Sequence, residues 1–290
     1  MNSPSRNACE SGAEKPVLRL KISLGADGRS RVEERHVSFP WSLGRGYATD
    51  PGQPVMVIPQ MAGAGLLADD QVSQRILVSK DAALHLVSAG AMLTYGSPGG
   101  GASISDWSVE LEECAQAIVV SEPYVLLDDA SLALRQTIIV PPDATFIGCE
   151  GIVCARTGNR SQWQTETIVR RPDGTHLFTD RQRAGSHVLQ LQNDLRDRWS
   201  AFGTLLVIGA GSAKCVVAME SRVSTESDRV WIGCAQTRSE SGLCIRIAAR
   251  DGLNLRTTMM HLMNMLISEL KHRDVAPCPH SFFQDDTKFS

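Results

Sequence analysis

Residues 205–214 read LLVIGAGSAK, an apolar run that meets Gly209, Ala210 and Gly211, with Ser212 placed to open a helix. Two folds compete for this stretch. In a dinucleotide-binding sheet the glycines would cradle a pyrophosphate. In a β scaffold they only turn a strand into a helix. The dinucleotide fingerprint Gly-x-Gly-x-x-Gly/Ala needs a third small residue so that helix and strand can pack closely, and here that place is taken by Lys214. It also needs a βαβ unit and an acidic residue about 20 positions on, and Glu226 and Asp228 fall short of that spacing. A Walker loop is excluded as well, because Gly209–Lys214 lacks both the four-residue spacer and the Ser/Thr after lysine. The stretch reads as strand, turn, helix.

What precedes it supports this reading. In VLRLKIS, Leu18, Leu20 and Ile22 alternate with Arg19, Lys21 and Ser23, the period of a strand with one buried face. PVMVIPQ, QRILVS, SVELEE, AIVVSE, RQTIIVPP and TETIVRR repeat the pattern between Gly, Pro, Asp and Ser clusters. In RRPDGTHLF, Pro172-Asp173-Gly174 forms a hairpin turn. Many short strands without intervening helices predict a mainly β chain: a sandwich, barrel or solenoid. No internal period is legible, which leaves a solenoid with irregular turns open.

A clear helix comes late. In LNLRTTMMHLMNMLISELKH, Leu255, Met259, Leu262, Leu266 and Leu270 advance by three or four residues, and Met263 and Ile267 widen the stripe. Gly252 and Asn254 sit before it, and Lys271 and His272 in its last turn suit the helix dipole. The segments 1–15 and 273–290 read as tails around a single domain over 16–272. The second is flexible or ordered by a partner.

Composition narrows the function. Hydrophobic residues make up 42% and charged residues 21% of the 290, ordinary for a globular core. The net charge of −3, with both signs interspersed, excludes nucleic acid and an anionic membrane as the main partner. The start MNSPSRNACESGAEKP has no apolar signal region, no run is long enough to span a membrane, and the eight cysteines form no CxxC pair. A cytoplasmic protein with buried thiols is expected. No Gly-x-Ser-x-Gly elbow is present. The seven histidines, His36, His85, His176, His187, His261, His272 and His280, are isolated, and Cys278-Pro279-His280 offers two ligands where a metal site needs more.

Four ordered pieces between Pro59 and Arg160 resemble the UreD (UreH) family of urease accessory proteins. AGAGLLADD (62–70) resembles its Gly-Gly-x-x-x-Gly-Asp segment, with Asp70 in the Asp place. LHLVSAGAMLTYGS (84–97) is similar to its Leu-Thr-Thr-x-x-Ala-x-x-x-Tyr-Arg-Ser segment through Ser88, Ala91, Tyr95 and Ser97, departing at Val87 and Gly96. AIVVSEPYVLLDDASL (117–132) keeps Pro123 and Ala130 of a strand pair. GCEGIVCARTGNR (148–160) keeps Glu150 and Arg156 but has Ala155 for a glycine and Arg160-Ser161 for Gly-Glu. PDGTHLFTDRQRA, GTLLVIGAGSAK and the late helix follow in the family's order.

The resemblance implies a β-helix-like scaffold that is no enzyme and holds no tight cofactor. It implies a chain that passes Ni²⁺ transiently toward urease, with UreF-like and UreG-like accessory proteins and the urease apoprotein as partners. It places Asp70, Ser88 and Glu150 along the metal's route, with Arg156 and Tyr95 structural. Each has a plainer role open to it: Asp70 a turn residue, Ser88 a strand residue, Glu150 one half of an ion pair with Arg156. An all-β assembly module without a metal role, and a dinucleotide enzyme built on Gly209–Lys214, are the alternatives. The Met-rich helix and Phe282-Phe283 are candidates for a partner-binding surface.

Overall fold

The structure, a computed structural model, describes residues 17–47, 50–155, 160–185, 199–220, 228–238 and 241–270. The strands are β1 (Val17–Leu24), β2 (Ser30–Val37), β3 (Trp41–Leu43), β4 (Val55–Val57), β5 (Pro59–Met61), β6 (Gln71–Val78), β7 (Ala83–Val87), β8 (Met92–Thr94) and β9 (Ser103–Leu111). They continue with β10 (Gln116–Val120), β11 (Tyr124–Leu126), β12 (Ser131–Ile139), β13 (Thr145–Cys154), β14 (Gln162–Arg170), β15 (His176–Gly185) and β16 (Ala201–Gly209). Helix α1 (Ser212–Glu220), β17 (Val230–Gln236), β18 (Gly242–Ala249) and helix α2 (Gly252–Leu270) close the order.

The chain winds as a β-solenoid. One sheet has seven strands in the order β15-β14-β12-β9-β6-β1-β2, and the other has nine in the order β17-β18-β16-β13-β10-β7-β4. Their central strands are parallel, because each coil returns to lie beside the one before. Gln71 pairs with Ile104, Ser103 with Leu132 and Ser131 with Gln162, so successive coils are 33, 29 and 31 residues long. Unequal coils with different turns leave no repeat for the sequence to display. At the late end the winding gives way to antiparallel pairs, β14 with β15 and β13 with β16, β16 with β18, and β18 with β17.

The layers explain the two sequence patterns. The seven-stranded sheet has one wet face, and Leu18, Leu20 and Ile22 point inward from it. The nine-stranded sheet is covered on both faces, which is why its strands read as nearly continuous apolar runs. Its inner face, with Leu84, Leu86, Val119 and Phe146, meets the first sheet. Its outer face, with Ile118, Ile147, Leu205 and Ile245, lies under α1 and α2. The predicted helix stripe is buried as read: Leu255, Met259, Leu262, Met263, Leu266 and Ile267. These methionines therefore pack the core and are not free to form a partner surface. The helix start differs from expectation. Gly252 and Asn254 lie inside the first turn, and Asp251 caps it by accepting the Asn254 N–H at 2.8 Å. Lys271, His272, Cys278-Pro279-His280, Phe282-Phe283 and the 1–15 segment lie outside the described residues.

The Gly-Ala-Gly turn is structural. Gly209 has φ +96°, and a Cβ there would stand 2.0 Å from the Ala144 carbonyl oxygen. Its N–H bonds the Ser241 carbonyl at 2.9 Å, and the Ala210 N–H bonds the Ala144 carbonyl at 2.9 Å. Those donors are spent on the fold and cannot hold a phosphate. Strand β16, moreover, has antiparallel neighbours on both sides, where a dinucleotide sheet has parallel ones.

Candidate functional site

Strand β13 carries the site. Along it Phe146, Gly148, Glu150 and Ile152 point between the sheets, and Ile147, Cys149 and Gly151 point toward the helices. A Cβ at Gly148 would meet the Phe146 ring at 2.5 Å, so this position accepts only glycine without repacking. Beside it lies an interior cavity of about 30 Å³ walled by Trp107, Val119, Gly148, Glu150, Asp180 and Thr204. That volume holds about two waters, and the carboxyl and hydroxyl groups in its wall are what water or a hydrated cation needs.

The register of three strands assembles the polar wall. Glu150 pairs with Thr204 across β13 and β16, and Thr204 pairs with Arg246 across β16 and β18. Asp180 reaches them from β15 on the opposite sheet. The Arg246 guanidinium donates to the Asp180 carboxylate, and its Nη1 donates to Thr204 Oγ1 at 2.8 Å. Gln182 Nε2 donates to Asp180 Oδ2 at 3.0 Å and to Thr204 Oγ1 at 3.2 Å. Glu150 stands apart from this ring. It is 6% exposed, and its Oε2 has no hydrogen-bond partner among the described residues. Burial pushes its carboxyl up to about 7, the Asp180 charge adds to the rise, and Arg246 opposes it. Its proton is therefore exchangeable near neutral pH.

Two wider clefts adjoin this cavity. One, of about 310 Å³, is lined by Trp41, Ser88, Glu122 and Tyr124, and shares Trp107 and Ser121 with the interior cavity. The other, of about 620 Å³, lies between the β15 and β17 edges. It is lined by His176, Trp231, Cys244 and Arg246, and shares Phe178 and Asp180 with the cavity.

Of the residues singled out in the sequence, Glu150 sits at the centre of this arrangement and Ser88 at the wall of the first cleft, its N–H bonded to the Val120 carbonyl at 3.0 Å. Asp70 is not brought to them. It closes a turn by accepting the Leu67 N–H at 2.7 Å, and it lines none of the three cavities. Tyr95 is half-buried and ties its N–H to the Leu66 carbonyl at 2.8 Å. Arg156 lies outside the described residues, and among the described residues the guanidinium acting on Glu150 is that of Arg246.

Sequence reading missed Asp180, Thr204 and Arg246. FTDRQRA reads as a solvated strand, and Arg246 alternates with Leu243, Ile245 and Ile247 as an outward residue would. No local signal marks them, because the face of β18 that carries Arg246 is only half-buried and its partners come from another sheet. Among the described residues no group of three or more His, Cys, Asp or Glu side chains is placed to hold a metal ion. None of the helices there is long and apolar enough to cross a membrane.

Comparison with known proteins agrees with the scaffold. The profile of the UreD urease accessory protein family matches residues 15–280. Urease accessory protein UreD 1 of Bradyrhizobium sp. strain BTAi1 is 30% identical over 265 residues, covering 89% of this chain and 92% of its own. Urease accessory protein UreD 3 of Bradyrhizobium sp. strain ORS 278 is 27% identical over 259 residues, with 87% and 90% covered. The UreD of Mycolicibacterium smegmatis is 25% identical over 250 residues, with 84% and 88% covered. With a profile match over nearly its whole length, the chain belongs to the UreD family of urease accessory proteins.

Proposed function

We propose that this chain is a non-catalytic cytoplasmic scaffold for nickel insertion into urease, bridging the urease apoprotein to UreF-like and UreG-like proteins. In this reading Ni²⁺ passes through its interior. The observation that carries the reading is a buried acidic pair, Glu150 and Asp180, facing a cavity whose walls are shared with a cleft on either side. The donor set suits transit. Two carboxylates and a hydroxyl hold a borderline dication weakly, where a thiolate or imidazole cage would retain it. Glu150, with its raised affinity for a proton, can trade that proton for the cation and recover it when the cation leaves.

The test is co-production of urease with the chain and its partners. In Glu150→Gln and Asp180→Asn, complex yield should stay near that of the parent while nickel per urease active site falls severalfold. Asp70→Asn, outside the cavities, should load urease normally. Full nickel content in Glu150→Gln would remove the interior route.

A further inference from the structure

We propose that Arg246 is a gate between the interior cavity and the β15/β17 cleft, opened when a divalent cation displaces it from Asp180. The inference rests on the reading that a cation passes here, and it adds how the passage is kept shut.

Asp180 belongs to the walls of both the cavity and the outer cleft, whereas Arg246 belongs to the outer cleft alone. The guanidinium therefore caps the carboxylate from the outside. Side-chain exposure agrees, at 32% for Arg246 against 10% for Asp180. The cap joins the two layers, since Arg246 rises from β18 of one sheet to Asp180 on β15 of the other and is steadied by Thr204. On the inner side waits Glu150, buried and with Oε2 unpartnered among the described residues. A carboxylate engaged by a guanidinium is a poor cation ligand, because the bound positive charge repels the incoming one. A dication bridging Glu150 and Asp180 offers Asp180 more charge than Arg246 does, and it occupies an oxygen that Arg246 uses. The released head has somewhere to go. The outer cleft has about 620 Å³ of space, and Trp231, 43% exposed, presents an indole in it on which a guanidinium can stack. No backbone movement is required, only rotation of one long side chain.

This predicts that the gate residue opposes cation binding. Ni²⁺ alone is titrated calorimetrically into the purified full-length chain at fixed pH. Arg246→Gln should bind at least tenfold more tightly than the parent. Arg246→Lys, a point charge that cannot span Asp180 and Thr204 together, should bind about threefold more tightly. The gain must vanish in Glu150→Gln with Arg246→Gln, which separates this site from any other nickel ligand in the chain. If Arg246→Gln does not fold, Arg246→Lys decides the matter alone. Binding no tighter than the parent, or a gain that survives the loss of Glu150, overturns the gate. Failure of the transport reading looks different: Glu150→Gln would then load urease normally, whatever Arg246 does to affinity.

Discussion

Glu150 sits against the logic of a stable interior: a carboxyl 6% exposed, with one oxygen unpartnered among the described residues. Its protonation links to stability with a definite sign. The folded chain keeps the Glu150 proton up to about 7, while the unfolded chain releases it near the ordinary 4.5. Between those values the folded form binds more protons, so this residue makes stability fall as pH rises, and the penalty is complete above about 7. Buried His85 contributes the opposite slope. Burial depresses it to about 4, so stability that is present above 6.5 is lost as pH falls toward 4. Comparing a variant with its parent at each pH cancels the histidine. Glu150→Gln keeps the shape and removes the ionisation. It should be more stable than the parent by about 1–3 kcal/mol at pH 8 and nearly equal at pH 5, read by denaturant unfolding. A loss of stability at pH 8 would mean that Glu150 is held by a compensating partner, as the expected pair with Arg156 required.

At the scale of elements, local chemistry decided most of what could be read. Alternation located β1 and β14, continuous apolar runs located β10 and β16, and the three-and-four spacing located α2, because each pattern is set by how many faces an element buries. The hairpin at Pro172-Asp173-Gly174 was legible because its chemistry is local: Gly174 has φ +88°, and Asp173 Oδ1 accepts the Thr175 N–H at 2.8 Å. The coil stacking was not legible, since coils of 33, 29 and 31 residues share no turn chemistry. Nor was the site beyond Glu150. Asp180 and Arg246 lie 66 positions apart on different sheets, and only the register of β13, β16 and β18 brings Arg246 beside Glu150. The Gly209 turn gives an element-scale prediction. Gly209→Val forces a β-branched side chain into φ +96° with its Cβ 2.0 Å from a carbonyl oxygen. It should destabilise the chain by about 3 kcal/mol or more, and prevent folding if stability is ordinary. Calorimetry on the parent with NAD, NADP, FAD and GTP should find nothing tighter than about millimolar affinity, because the Gly209 and Ala210 N–H groups are already bonded. A micromolar nucleotide would refute that assignment.

Across the whole molecule, cleft, cavity and cleft adjoin in series, each sharing two wall residues with the next; the proposed route requires that they connect. Continuity can be tested without touching any charge. Ser121 lies in the wall shared by the cavity and the 310 Å³ cleft, and the cleft is large enough for an aromatic ring. Ser121→Phe should therefore fill the junction with little strain, leaving Glu150, Asp180 and Arg246 as they are. If nickel travels the full length, urease matured with this variant should contain severalfold less nickel at equal complex yield. The variant chain's own affinity for Ni²⁺, admitted from the β15/β17 side, should stay within about twofold of the parent. Blocked delivery with intact binding is a pattern that neither a folding defect nor a lost ligand produces: the first lowers complex yield, and the second lowers affinity. Normal nickel loading in Ser121→Phe would confine any metal role to the β15/β17 side of the molecule and leave the first cleft a packing feature of the scaffold.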